Sequence, residues 1–475
     1  MTQWNIVCGK YSGLEKKAAH RLKAAIEEHL DLTVPVGILE ASAALTGTLL
    51  PEGRCIFLGI GDENPHAPHK GENRPEEYTI TVTDTAPQTL SITGSDANGL
   101  LYGVVDFIGK YIPDALYSNT SGSPYYMHTL FTDAPMKPCS ITSAPAISRR
   151  GLWTWGHTIT DYRGYIDNMV TAKMNTLVIW NNLRPANARD VADYAHENGI
   201  KLLYGFAWGW STDHGFNAIR YALDHKQDVV DEYLRDWASA GCDGIYFQSF
   251  TETSQEKLGD ILIADAVTEY VNYIAGEIWK HTPGVTIQFG LHASSVNQKL
   301  DFIARTDPRI EIIWEDCGAF PFAYTPNRVG EDDFSETLAL AETISTLRGE
   351  DDRFGCVFKG LICLDWGKFK YPAAPYLIGE ANTALQNRRL AEKRPLWRYL
   401  QAYWMENAWY AQTTFRHLCD KKNGNYTALV LVEDGMFEAA PWFPVLLCGE
   451  LLWNPYADTG RLLRETALNP AAVFA

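Results

Sequence analysis

From Arg149 onward, short β-branched and aromatic runs alternate with amphipathic stretches at a nearly constant interval. Strands are expected at Arg150–Trp153, Thr176–Trp180, Lys201–Phe206, Gly244–Gln248, Thr286–Gly290, Glu311–Trp314, Gly360–Leu364 and Ala428–Val432. Between them, a helical period is read at Tyr162–Lys173, Ala186–Asn198, Val229–Ala240, Asp260–His281 and Glu336–Leu347. Asn198-Gly199-Ile200-Lys201 reads as a helix C-cap running into a strand. Such alternation calls for a parallel sheet, because each crossover must return the chain to the same end. Eight repeats over roughly 300 residues match an α/β fold of the (β/α)₈ TIM-barrel type. A doubly wound sheet is the alternative, but the glycines argue against it. Gly59-Ile60-Gly61 lacks the third glycine of a dinucleotide fingerprint, and Gly103 to Gly109-Lys110 has the wrong spacing for a P-loop. Neither a GxSxG elbow nor an HExxH helix is present.

The preceding segment reads as a small α/β domain. Ile6–Cys8 and Ile56–Ile60 are expected as strands, and Leu14–Leu30 as an amphipathic helix. Tyr78–Val82 and Thr89–Ile92 alternate like paired antiparallel strands, and Ser95-Asp96-Ala97-Asn98 caps a helix running to about Tyr111. Ser118 to Pro145 reads as a loop-rich linker. The 475 residues therefore divide into an accessory domain, 1–145, and a barrel, 146–475.

Charge excludes some partners. The formal net charge is −17, from 58 acids against 41 bases, whereas polynucleotides and anionic membranes require a cationic surface. No apolar run approaches the ~20 residues of a membrane span. The N-terminal Met-Thr-Gln-Trp-Asn-Ile-Val-Cys lacks the basic and apolar regions of a secretion signal, so a cytoplasmic location is expected. The nine cysteines form no CxxC pair and are expected as reduced thiols. The sequence leaves the oligomeric state open; a symmetric homodimer is the commonest assembly.

In a barrel, chemistry collects at the C-terminal ends of the strands. Trp155 and His157 follow the first expected strand, and Trp180-Asn181-Asn182 end the second. Trp208 and Trp210 follow the third, Gln248 to Glu252 the fourth, and His292 the fifth. Trp314-Glu315-Asp316 end the sixth, Asp365-Trp366-Gly367-Lys368 the seventh, and Glu433-Asp434 the eighth. Seven of the 15 tryptophans fall at these ends: Trp153, Trp155, Trp180, Trp208, Trp210, Trp314 and Trp366. Sugar rings stack their C–H faces on aromatic rings and present hydroxyls to amides and carboxylates. Glycosidic cleavage needs one carboxylic acid to protonate the leaving oxygen and a second carboxylate to activate water or attack the anomeric carbon. A single acid at a strand end is commonly an ion-pair partner or helix cap, so the coincidence across several strands carries the reading. His157 and His292 belong to no HxH pair, so neither a catalytic metal nor another cofactor is expected. His66 and His69 fall in a polar loop and are expected to be solvated.

Several segments resemble a known group. Ile92 to Gly103, Ser143 to Gly151 and Met174-Asn175-Thr176-Leu177 resemble motifs of family 20 hexosaminidases and family 67 α-glucuronidases, and Gly449 to Pro455 resembles the final barrel helix of α-glucuronidases and related families. Those enzymes carry an accessory α/β domain before a catalytic barrel, and the α-glucuronidases are the nearer group. Family 20 places an Asp-Glu pair after the fourth strand; here Thr251 precedes Glu252, so substrate-assisted N-acetyl chemistry is not implied. The α-glucuronidases place an acid near the fourth strand and carboxylates on later strands, a layout that Glu252, Asp316 (or Glu315) and Asp365 fit.

The expected function is hydrolysis of a small carbohydrate substrate. Glu252 would be the general acid and Asp365 the base or nucleophile, with Asp316 or Glu315 sharing the base role. Trp155, Trp180, Trp208, Trp210 and Trp366 would form the sugar platform. Asn181, Asn182, Gln248 and His292 would bind hydroxyls, His157 a hydroxyl or a catalytic carboxylate, and Lys368 a uronate carboxylate. The alternatives are a non-catalytic carbohydrate-binding barrel, a hexosaminidase-like enzyme with atypical catalytic residues, and a different barrel enzyme such as a metal hydrolase or lyase.

Overall fold

The computed structural model describes residues 4–29, 35–41, 54–85, 88–111, 137–208, 219–248, 256–292, 299–315, 331–361, 372, 374–432 and 437–475. The chain divides into two compact units. One comprises Met1–Ala146 with Glu197–Gly199 and Gly460–Ala472; the other comprises Ile147–His196, Ile200–Thr459 and Val473–Ala475.

The first unit is built on a six-stranded mixed sheet. Its strands are β1 (Trp4–Cys8), β2 (Gly37–Glu40), β3 (Arg54–Ile60), β4 (Tyr78–Val82), β5 (Leu90–Gly94) and β6 (Cys139–Ser143), in the order β2-β1-β3-β5-β4-β6. β4 and β5 pair antiparallel, with Ile80 opposite Ile92. β6 lies where the sequence reads as linker. It is an edge strand whose middle residues are exposed, so no apolar face betrays it. The helix Ala97–Asp106 starts at Asp96, whose carboxylate accepts from Gly99 N at 2.7 Å and from Glu76 N at 2.8 Å. Asp96→Ala is expected to destabilise this unit by about 1 kcal/mol, measured as a shift in its denaturation midpoint.

His69 is not solvated as expected. Its side chain is buried, with Nε2 3.0 Å from Glu77 Oε1 and Nδ1 3.2 Å from Thr93 Oγ1. His66 is exposed beside Phe57. The seven described cysteines are free thiols. No described helix is long and apolar enough to cross a membrane.

The second unit is a closed barrel of eight parallel strands with surrounding helices. Its strands are β7 (Arg149–Trp155), β8 (Thr176–Trp180), β9 (Lys201–Gly205), β10 (Gly244–Phe247), β13 (Thr286–Leu291), β14 (Glu311–Trp314), β15 (Phe354–Leu361) and β16 (Thr427–Val432). A small hairpin, β11 (Lys257–Leu258) and β12 (Ile261–Leu262), precedes the helix Ile263–His281. The seventh barrel strand thus begins six residues before the expected Gly360. Both faces of β15 are covered, so its sequence shows no alternation, and Gly355 and Gly360 interrupt the apolar run. The expected helix Val229–Ala240 is replaced by short helices at Ile219–Asp224 and Lys226–Glu232 and a π-helical turn at Tyr233–Trp237. A helix of 40 residues, Thr383–Lys422, follows β15; Pro395 inside it obscures its continuity in the sequence.

Aromatic and aliphatic side chains fill the barrel interior. Trp153 and Trp155 from β7, Trp180 from β8 and Tyr246 from β10 pack with Val178, Leu203, Ile313, Val357, Leu429 and Leu431. The rings meet mainly edge to face: Trp155 and Trp180 at 5.8 Å and 79°, Trp180 and Tyr246 at 5.8 Å and 86°. This geometry places positive ring edges against negative faces. The strand N-terminal ends carry a polar cluster. Glu311 accepts from Gln288 Nε2 at 2.8 Å and Thr427 Oγ1 at 2.5 Å, with Arg149 at 3.5 Å.

Candidate active site

Glu315 lies immediately beyond β14, at the C-terminal end of the barrel. Inward positions along β14 recur every second residue, so Ile313 in the interior places Glu315 on the same face. Its backbone N–H bonds Leu291 O at 3.1 Å, extending the ladder by one residue. Three side chains from β10 and β13, or from the residue just past each, converge on its carboxylate. Tyr246 donates its hydroxyl to Oε1, Gln248 donates Nε2–H to the same oxygen, and His292 Nε2 lies 3.2 Å from Oε2. Glu315 is only 4% exposed, whereas the His292 side chain is 29% exposed.

The electrostatics follow from this shell. Burial by itself raises the pKa of a carboxyl group. Here His292, Lys359 and the Tyr246 hydroxyl outweigh burial and hold Glu315 below the ordinary glutamate range. Burial and the adjacent Glu315 charge push the Tyr246 phenol well above its usual value, so it remains a donor. The result is a buried carboxylate biased toward its ionised form. Gly290, on β13, makes the contact sterically feasible. A Cβ there would sit 2.1 Å from Glu315 Oε1 and 2.1 Å from the Tyr246 hydroxyl oxygen.

Tyr246 and Lys359 are absent from the sequence reading. Tyr246 was legible in principle, two residues before Gln248 and therefore on the same strand face. Lys359 follows the interior Val357 by two residues on β15 and was hidden by the misplaced strand start.

The expected sugar platform is redistributed. Trp180 has no exposed surface and belongs to the interior cluster, with Trp155 beside it at 6% exposure. Trp208 is also fully buried, stacked on Phe247 at 3.5 Å and 4°. Phe247 alternates with the inward Tyr246, so this stack belongs to the opposite face of β10. Trp180 and Trp208 are therefore packing residues in this structure, because neither leaves a ring face for a sugar. Asn181 and Asn182 follow β8; Asn181 is 2% exposed. His157 lies in a 3₁₀ turn after β7, and burial together with Arg389 holds its pKa down to about 4, so it is neutral.

A second carboxyl group comes from the turn after β16. Glu438 accepts from the backbone N–H and hydroxyl of Thr160, while its Oε2 is buried without a hydrogen-bond partner among the described residues. Burial raises its pKa despite those bonds and Arg389. Nothing in the local sequence singles it out from Glu433.

Glu252, Asp316, Asp365, Trp210, Trp366 and Lys368 lie outside the described residues, as do Glu433 and Asp434. Among the described residues, no group of three or more His, Cys, Asp or Glu side chains is placed to hold a metal ion.

No protein-family model matches the chain, and no curated protein matches its sequence. Solved structures do match its fold. CpGH84B aligns with a TM-score of 0.53 at 12% identity, covering 98% of this chain and 71% of its own. BtGH115A, described as a family GH115 4-O-methyl-α-glucuronidase with specificity for decorated arabinogalactans, aligns at 0.53 and 10% identity. That match covers 96% of this chain and 57% of the α-glucuronidase, so this chain spans little more than half its length. Both structural neighbours are glycoside hydrolases, and the likeness is one of fold, in keeping with this chain's closed parallel α/β barrel.

Proposed function

We propose that the protein is a glycoside hydrolase acting on a small carbohydrate. The observation that carries this reading is Glu315, an ionised carboxylate buried at the catalytic end of a barrel and held by Tyr246, Gln248 and His292. A negative charge held in a buried site stabilises the positive charge that develops at an anomeric carbon, or deprotonates an attacking water. Glu315 is the wrong partner for proton donation, because a depressed pKa favours the ionised form. The leaving oxygen would instead receive its proton from Glu252, with Asp316 and Asp365 completing the acidic set. The glycoside hydrolase neighbours support the class. A uronic-acid-containing substrate is the finer reading, supported by the sequence resemblance and by an α-glucuronidase among the neighbours.

The test is release of aryl alcohol from a panel of aryl α- and β-glycosides and uronides. At least one member should be cleaved by the wild-type chain; inactivity across the whole panel would overturn the reading. A pH profile on the cleaved substrate tests the electrostatics. Lys359 lowers the pKa of Glu315, so Lys359→Met should move the acidic limb of kcat/KM to higher pH. An unmoved limb would mean that the activity does not depend on the ionisation of Glu315.

A further inference from the structure

Residues 374–382, just before the long helix, are laced across the loops that follow the first two barrel strands. Tyr376 O accepts from Ala186 N at 2.9 Å, and Ile378 exchanges two hydrogen bonds of 2.9 Å with the Asn187 side chain. Gly379 N bonds Ile159 O at 3.2 Å, and Ala381 N bonds Thr160 O at 3.1 Å. This strap delivers a tyrosine from the seventh repeat to the ends of β7 and β8. The Tyr376 hydroxyl reaches Leu183 O at 3.4 Å and interacts with the Asn181 side chain. Gly156 closes the group: a Cβ there would lie 2.8 Å from Asn181 Nδ2 and 3.2 Å from the Tyr376 hydroxyl oxygen.

Within this cluster, Asn181 is conspicuous. It is 2% exposed, yet neither its Nδ2 nor its Oδ1 completes a hydrogen bond of good geometry among the described residues. A buried amide left unsatisfied is costly, so a fold that retains one invites a ligand to complete it. Either orientation of the amide offers one donor and one acceptor. Burial keeps the Tyr376 phenol protonated, adding a neutral donor. A sugar hydroxyl, which donates and accepts at once, matches this set. Neither the amide nor the phenol supplies a charge to balance an anion.

We propose that Tyr376, with Asn181 beside it, forms a subsite that binds one uncharged hydroxyl of the carbohydrate substrate. The proposal rests on the glycoside hydrolase reading and adds Tyr376 as a specificity residue.

The experiment uses the full chain and the aryl glycoside it cleaves best, together with the monodeoxy analogues of that glycoside. Tyr376→Phe should lower kcat/KM about tenfold, mostly through KM, with the melting temperature unchanged. One monodeoxy analogue should be about tenfold poorer for wild type and lose no further activity with Tyr376→Phe, because the same hydrogen bond is already missing. A purely structural tyrosine would not single out one hydroxyl. Asn181→Ala is the second variant and should be blind to the same analogue. If wild type cleaves its glycoside while both variants keep its KM, or if variant and analogue losses multiply for every hydroxyl, the subsite is wrong and the hydrolase reading stands. If wild type cleaves no panel member, the hydrolase reading falls and the subsite falls with it.

Discussion

Glu315→Gln is expected to lower kcat/KM on the preferred aryl glycoside about 10³-fold, the size seen when one preorganised charge-stabilising group is lost. The substitution is nearly isosteric. It retains an acceptor for the Tyr246 hydroxyl but removes the charge that His292 and Lys359 stabilise. The loss should fall mainly on kcat, because the charge acts where positive charge develops and not in the ground state. Stability should hold or fall, since the partners of the charge outweigh the cost of its burial and are left uncompensated when it is removed. Steady-state kinetics and a melting curve on the same preparation separate the two effects. Activity within tenfold of wild type would remove Glu315 from the chemistry.

Gly290→Ala should have the second-largest effect, although glycine and alanine differ by one methyl group. That methyl would meet Glu315 Oε1 and the Tyr246 hydroxyl oxygen, each at 2.1 Å, far inside van der Waals contact. Neither neighbour retreats easily: Tyr246 is fully buried among Trp153 and Trp180, and Glu315 is held by Gln248 and His292. Overpacking of this kind costs about 1–3 kcal/mol. It should also separate Tyr246 from Glu315 and reduce kcat about 10²-fold. The denaturation midpoint and kcat are the measurements. Adding Tyr246→Phe removes the clashing oxygen and should restore part of the stability but none of the rate. A Gly290→Ala protein with wild-type midpoint and rate would show that the two oxygens do not share the space above Gly290.

Much of the barrel was legible because a repeating strand–helix alternation is a local property. β8 runs over Thr176–Trp180 as read, and Gly199 takes the left-handed conformation expected of a residue past a helix end. The misses share a cause. β15 is covered on both faces, β6 is an exposed edge, and Pro395 lies within a continuous helix. In each case tertiary surroundings replace the local pattern on which the reading depends. The same holds for the tryptophans. Their places near strand ends were readable, but whether a ring faces a ligand or the interior depends on neighbours distant in sequence, such as Phe247 for Trp208.

Two glutamates mark the boundary between local and tertiary information. Glu311 and Glu315 stand four residues apart on one inward strand face, a relation set by the two-residue period alone. The α/β alternation, the net negative charge and the presence of acids and aromatics where strands end follow from residue order alone. Only the tertiary structure assigned the two carboxylates their different roles. At one end Gln288, Thr427 and Arg149 tie Glu311 into the polar cluster at the strand N-termini. At the other, Tyr246, Gln248, His292 and Lys359 arrive from three other strands to keep Glu315 charged. Ionisation depends on burial and on charges and donors within a few ångströms, and barrel closure brings those groups together from 69 residues away in the chain for Tyr246 and Glu315.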